Sequence, residues 1–167
     1  MPIYSKIIVE HFKRPRNVGK IKNASSVGEA GNLACGDLMR IYLKIKKNKK
    51  GEDFIKDAKF ETLGCTVALA NASLLTTMVK GKTIKEALKI KKEDLIKKLG
   101  QPLPPFKIHC SVLAVEALKE AIYNYYSKNK MKIPKELKKE HQRIIKIKKE
   151  IEKRYREFSK LERKVLK

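Results

Sequence analysis

The residues of this 167-residue chain best equipped for chemistry are its three cysteines, Cys35, Cys65 and Cys110. They stand far apart and their number is odd, so a disulfide framework would leave one unpaired. Cys35 is followed by Gly36 and Asp37, Cys65 follows Gly64, and Cys110 follows His109. Any single cysteine is most often a buried free thiol. Three thiols beside a carboxylate and an imidazole can instead complete a tetrahedral site, and soft sulfur ligands suit iron–sulfur clusters, Zn2+ and Cu(I). A permanent cluster normally takes four cysteines. Here the fourth ligand must be Asp37, His109, a partner's group or an exogenous one. A carboxylate oxygen is hard and matches cluster iron poorly, so one corner releases easily. Such a site suits transient holding.

The elements that must position these groups can be read from periodicity. Cys65 immediately precedes an expected helix with Val67, Ala70, Leu74 and Met78 on one face, ending at Gly81. Cys110 immediately precedes a second, running from Ser111 to about Tyr126 with Leu113, Ala117, Leu118, Ala121 and Ile122 on its buried side. Unpaired amides and the helix dipole at such positions favour the thiolate, which is the metal-binding form. Cys35 lies before a strand: Arg40–Lys46 alternates, with Ile41, Leu43 and Ile45 inward. Phe54, Ala58 and Phe60 mark another strand, joined to the first by a polar hairpin ending at Gly51, and a third strand is expected around Val27. Ile3–Phe12 has helical spacing, with His11 in a structural role. Thr83 and Glu86 form a capping box, and Glu93–Leu99 is a further short helix. The proline-rich Gln101–Phe106 segment is expected to be extended. Strands precede helices, which predicts an α+β fold: a small three-stranded antiparallel sheet packed against several helices, plus a charged C-terminal helix.

The net charge of +23 raises nucleic-acid or membrane binding, but its distribution matters. Residues 128–167 hold 17 Lys/Arg against 6 Asp/Glu, so nearly half the excess belongs to the last quarter. Apolar residues recur there every seven positions, at Leu137, Ile144, Ile151, Phe158 and Val165; Ile147 and Leu161 fill two intermediate positions, while Glu140 and Arg154 break the other two. This helix is expected to pack on the core or to self-associate, giving a homo-oligomer. Nucleic-acid contact ranks behind both, because aromatics are few and acids interleave the lysines. The chain divides into a core, 1–127, and a basic helical extension, 128–167. No run of about 18 apolar residues exists for a membrane span. The first twenty residues lack a signal-peptide pattern, and the expected location is the cytoplasm.

Several stretches acquire meaning when read in order: His11-Phe12-Lys13-Arg14-Pro15-Arg16-Asn17-Val18-Gly19, Ala34-Cys35-Gly36-Asp37, Thr62-Leu63-Gly64-Cys65, Val79-Lys80-Gly81-Lys82 and Leu103-Pro104-Pro105-Phe106-Lys107-Ile108-His109-Cys110-Ser111. Together they resemble the IscU-type scaffold, also found as the N-terminal part of NifU proteins, over about residues 4–127. The resemblance implies a scaffold or carrier, not an enzyme. Such a protein takes persulfide sulfur from a cysteine desulfurase, combines it with iron and electrons into a [2Fe-2S] cluster, and passes the cluster to acceptor apoproteins. It implies Cys35, Cys65 and Cys110 as ligands, with Asp37 or His109 as the fourth. It also marks Cys110 as the candidate sulfur acceptor and Lys107 as a stabilising charge. Leu103, Pro104, Pro105, Phe106 and Lys107 resemble a docking segment for an Hsp70-type chaperone. Thr66 and Val67 replace the family's small residues after the second cysteine, and Phe106 replaces its usual valine. A zinc-binding sulfur acceptor of the same fold is the alternative.

Overall fold

Alternation over residues 39–45 buries Met39, Ile41, Leu43 and Ile45 on one face of a strand, with Tyr42 also buried between them. That strand is the centre of the sheet. In the computed structural model, which describes residues 4–32, 36–100 and 102–165 with side chains to 157, the order is α1 (Lys6–Lys13), β1 (Ser26–Gly31), β2 (Leu38–Lys47), β3 (Asp53–Leu63), α2 (Thr66–Val79), α3 (Ile84–Leu88), α4 (Lys92–Lys98), a single 3-10 turn (Pro105–Lys107), α5 (Ile108–Lys128) and α6 (Lys135–Val165). The three strands pair antiparallel in the order β1-β2-β3. The architecture is the expected α+β.

The register departs from simple alternation at one place. A bulge beside Lys44 and Ile45 pairs Ile45 with Ile55 and Lys44 with Asp57. The extra residue turns Ile55 into the core, where the sequence pattern placed Phe54, while Ala58 and Phe60 stay inward. The bulge swaps the facing of one turn of strand without disturbing the rest.

Helices α2 and α5 cover the inner face. Contact between α5 and the sheet is close at Gly28: a Cβ there would lie 2.1 Å from the Ala121 nitrogen and 2.3 Å from the Ala117 carbonyl. Only glycine lets the helix backbone seat on β1. On α1, His11 is buried and its Nδ1 meets Ser73 Oγ of α2 at 2.7 Å. Burial first, and Arg16 second, hold its imidazole below the ordinary value, so it is a neutral structural partner. Thr83 and Glu86 form the expected capping box at α3.

Helix α6 packs on α5 and β1. Leu137, Ile144 and Ile151 are buried, so the sevenfold pattern faces this protein's own core. The side chains of Phe158 and Val165 lie outside the described set. Polar pairs line the seam: Lys119–Glu140 at 2.8 Å, His141–Glu120 at 2.9 Å, Arg143–Glu116 at 2.6 Å and Lys148–Glu29 at 2.8 Å. Tyr123 stacks on the His141 ring with centroids 3.6 Å apart. Of these pairs, Lys119–Glu140 and Lys148–Glu29 are partly exposed and contribute roughly 0–1 kcal/mol each, whereas each buried aliphatic contributes about 1.5–3 kcal/mol. Glu116 and Glu120 are buried, so Arg143 and His141 also keep those two carboxylates partnered, which sets the register of the helix. Among the described residues no helix is long and apolar enough to cross a membrane.

Candidate metal centre

The loop Gly64-Cys65 turns β3 into α2 and makes Cys65 the N-cap of that helix, with φ −80° and ψ 172°. Cys110 arrives from the other direction. The prolines do not keep the segment before it extended to Phe106. Pro104 is extended, but Pro105 starts the 3-10 turn, since its fixed φ suits the first helical position. That turn runs directly into α5, which begins at Ile108, three residues earlier than its periodicity suggests. Cys110 is thus inside the first turn of α5, not before it. Gln101 lies outside the described residues.

Two helix starts converge. Cys65 Sγ and Cys110 Sγ are 3.6 Å apart. Asp37, at the entry to β2, places Oδ2 4.0 Å from Cys110 Sγ. The Asp37, Cys65 and Cys110 ligand atoms all lie within 4.8 Å of one another. His109 Nε2 is 3.4 Å from Cys110 Sγ and 3.8 Å from Asp37 Oδ2. Cys35 lies outside the described residues. Gly64 makes room for the carboxylate: a Cβ there would come within 3.1 Å of Asp37 Cγ and 3.0 Å of Ala68 Cβ.

The two cysteine-bearing helices are tied together by a buried polar pair that periodicity did not single out. Ser111 Oγ donates to Asn71 Oδ1 at 2.8 Å, and Asn71 Nδ2 donates to the Val67 carbonyl at 2.9 Å. Both residues are fully buried. The link joins α2 to α5 at the residue next to Cys110, and an unpaired partner there would be costly. The available signal was Asn71 itself, a polar residue four positions after Val67 on an otherwise apolar helix face.

The two thiols differ electrostatically. Burial pushes Cys65 up, but the amides of Ala68 and Val67, the Cys110 thiol and the Lys107 ammonium outweigh it and hold Cys65 below the ordinary thiol value. Cys110 is pushed far up, first by burial and then by the negative charge of Cys65 and Asp37. The Lys107 ammonium is stabilised chiefly by Cys65. Of the proline segment, Leu103 is buried and Phe106 is 70% exposed.

The NifU-like N-terminal domain model matches residues 3–132. The chain belongs to that family. Relatives agree. A scaffold protein for iron–sulfur cluster assembly, IscU 1, from Archaeoglobus fulgidus is 51% identical over 127 residues, 76% of this chain and 79% of that one. IscU from Buchnera aphidicola, also named an iron–sulfur cluster assembly scaffold protein, is 45% identical over 130 residues, 76% of this chain and 98% of that one. The crystal structure of the N-terminal part of a NifU-like protein from Brucella abortus shares the fold, with TM-score 0.58 at 19% identity, over 75% of this chain and 96% of that one. The family match ends before α6 begins.

Proposed function

We propose that this family member is a scaffold on which [2Fe-2S] clusters are built and from which they are passed to acceptor apoproteins. It would act as a carrier, not a turnover enzyme. The observation that carries the reading is the convergence of two thiols and a carboxylate within 4.8 Å. Cys65 and Cys110 are assigned as ligands, with Cys35 as the third sulfur and Asp37 or His109 as the fourth ligand. Iron and sulfide are cargo. Thiolate sulfur suits them, and a carboxylate corner loosens the grip. Cys65 loses its proton more readily than an ordinary thiol, while Cys110 gives up its proton on metal binding.

Sulfur would come from a cysteine desulfurase. An acceptor thiolate attacks the outer sulfur of the desulfurase persulfide, an S–S bond forms and the old one breaks, and the desulfurase cysteine leaves as thiolate; two electrons from an external thiol or electron-transfer donor then cleave the new S–S bond, releasing sulfide and restoring the acceptor thiolate. The family resemblance marks Cys110 as acceptor. It is fully buried here, so sulfur delivery there requires the first turn of α5 to open, whereas Cys65 is partly exposed. The exposed Phe106 and the extended Pro104 would serve chaperone docking, since a proline-stiffened segment loses little entropy when captured. A cytoplasmic setting, where thiols stay reduced, belongs to the same proposal.

Anaerobic reconstitution with iron, sulfide and a cysteine desulfurase tests it. Wild type should turn brown with visible charge-transfer bands, and Cys35→Ser or Cys65→Ser should lose most of the cluster. Wild-type yield in both variants would defeat the ligand assignment. Asp37→Ala should change cluster lifetime with thermal stability retained. The same donor set suits Zn2+; metal analysis finding zinc and no competence for iron would favour the zinc-binding alternative.

A further inference from the structure

Helix α6 lies beyond the family match, which ends at residue 132, yet it extends to the turn that flanks the metal centre. Its contacts advance in one direction. Glu140 pairs with Lys119 and Arg143 with Glu116, so α6 runs antiparallel to α5, toward the end that bears His109 and Cys110. Lys148 then pairs with Glu29 on β1, and Ile151 meets Gly31 at the end of that strand. From Glu140 to Tyr155 the helix covers about 22 Å.

At its far end α6 touches the turn that delivers Asp37. The Asn32 amide donates to the Asp37 carbonyl at 2.9 Å and the Gly36 amide to the Asn32 carbonyl at 3.0 Å. A Cβ on Gly31 would lie 2.7 Å from Ile151 Cδ1, so Ile151 occupies the space that glycine leaves open. Ile151 is only 8% exposed. Gly36 has φ +72°, and Tyr155 Oη lies 4.0 Å from where its Cβ would be. Ile151 therefore packs on one flank of the turn and Tyr155 stands beside the other, and the carboxylate of that turn lies 4.0 Å from Cys110 Sγ.

We propose that α6 is a positioning element for the metal centre: Ile151 and Tyr155 brace the turn carrying Asp37 and so set how firmly the site retains its cargo. Neither residue touches cargo; both act through Asp37. Groups hydrogen-bonded directly to a ligand typically alter metal affinity about 10–100-fold when removed, and a packing support one step further out is expected at the lower end of that range. The inference rests on the site reading above.

Cobalt(II) tests it, because thiolate–cobalt charge-transfer absorbance reports the site without cluster assembly. The full-length variants Ile151→Ala, Tyr155→Ala and Leu137→Ala are titrated with Co2+ and melted. Leu137 is a buried aliphatic of the same helix at the opposite end, so Leu137→Ala reports the cost of loosening α6 alone. The expected result is a loss of Co2+ affinity of about tenfold in Ile151→Ala, a smaller loss in Tyr155→Ala with the melting temperature kept, and wild-type affinity in Leu137→Ala despite a lowered melting temperature. Should Ile151→Ala fail to fold, Tyr155→Ala decides. Wild-type affinity in the Ile151 and Tyr155 variants, or an equal loss in Leu137→Ala, overturns this inference alone. A wild-type protein that takes up no Co2+ overturns the site reading and the inference with it.

Discussion

The start of α2 and the start of α5 each carry a cysteine, and the two sulfurs lie 3.6 Å apart, yet their thiols are driven in opposite directions. Cys65 is the N-cap of α2, outside the first turn and partly exposed. It faces amides that have no helical partner, and they favour its anion. Cys110 is the third residue of α5 and fully buried. The 3-10 turn before it has already used nearby donors: the Lys107 amide bonds to the Pro104 carbonyl and the Ile108 amide to the Pro105 carbonyl. Burial then dominates, and the neighbouring Cys65 and Asp37 charges add to it. Nearness to a helix N-terminus is not sufficient to activate a thiol. The sulfur must face unpaired amides and keep contact with water.

Alkylation of the metal-free protein gives the widest separation between the two sites. At neutral pH, Cys65 should react more than about tenfold faster than Cys110, because each unit of pKa is a factor of ten in thiolate fraction. The sign follows from the directions: Cys65 activates below the ordinary thiol value of 9.0 and Cys110 above it. Peptide mapping by mass spectrometry measures both rates, and equal rates would erase the contrast. Serine substitution separates the sites by stability. Cys65→Ser installs a preferred N-cap and should leave the fold unchanged or about 0.5 kcal/mol more stable. Cys110→Ser puts a hydroxyl in a sealed position and should cost about 1–2 kcal/mol. In a chain of this size that is a fall of roughly 2–4 °C in melting temperature per kcal/mol. A matching fall in both variants would show that the two positions are energetically alike.

Much of the fold could be read before any coordinates, because β2 alternates and α2 and α5 are long apolar stretches bounded by clear stop signals, α2 being buried nearly all round. Phe54 and Ile55 could not be assigned correctly, since a bulge is a pairing event and leaves no mark on one strand's pattern. Pro105 was misjudged for a related reason: proline's fixed φ suits both an extended chain and the first residue of a helical turn. The motif positions of the site were visible as residue types. The opposite drift of Cys65 and Cys110 was not, because it depends on burial and on which amides remain free. The Asn71–Ser111 link, 40 residues apart in the chain, was equally hidden, as was the arrival of Ile151 beside Gly31.

The smallest expected effect concerns Lys107, which lies near both sulfurs. Its ammonium is stabilised first by Cys65 and more weakly by Cys110, and it lowers both thiols. Lys107→Gln should therefore slow alkylation of both, and Cys65 more, narrowing the gap between them. The lysine is partly exposed, so its field is screened, and a loss of about two- to threefold at low salt is the scale for such a pair. Screening also supplies the control. At about 1 M salt the Debye length shrinks to roughly 3 Å, and the variant and the wild type should then alkylate at the same rate. A difference that survives high salt would mean that Lys107 acts by holding the 3-10 turn in place. The contrast between the two helix starts would then be one of backbone geometry more than of charge.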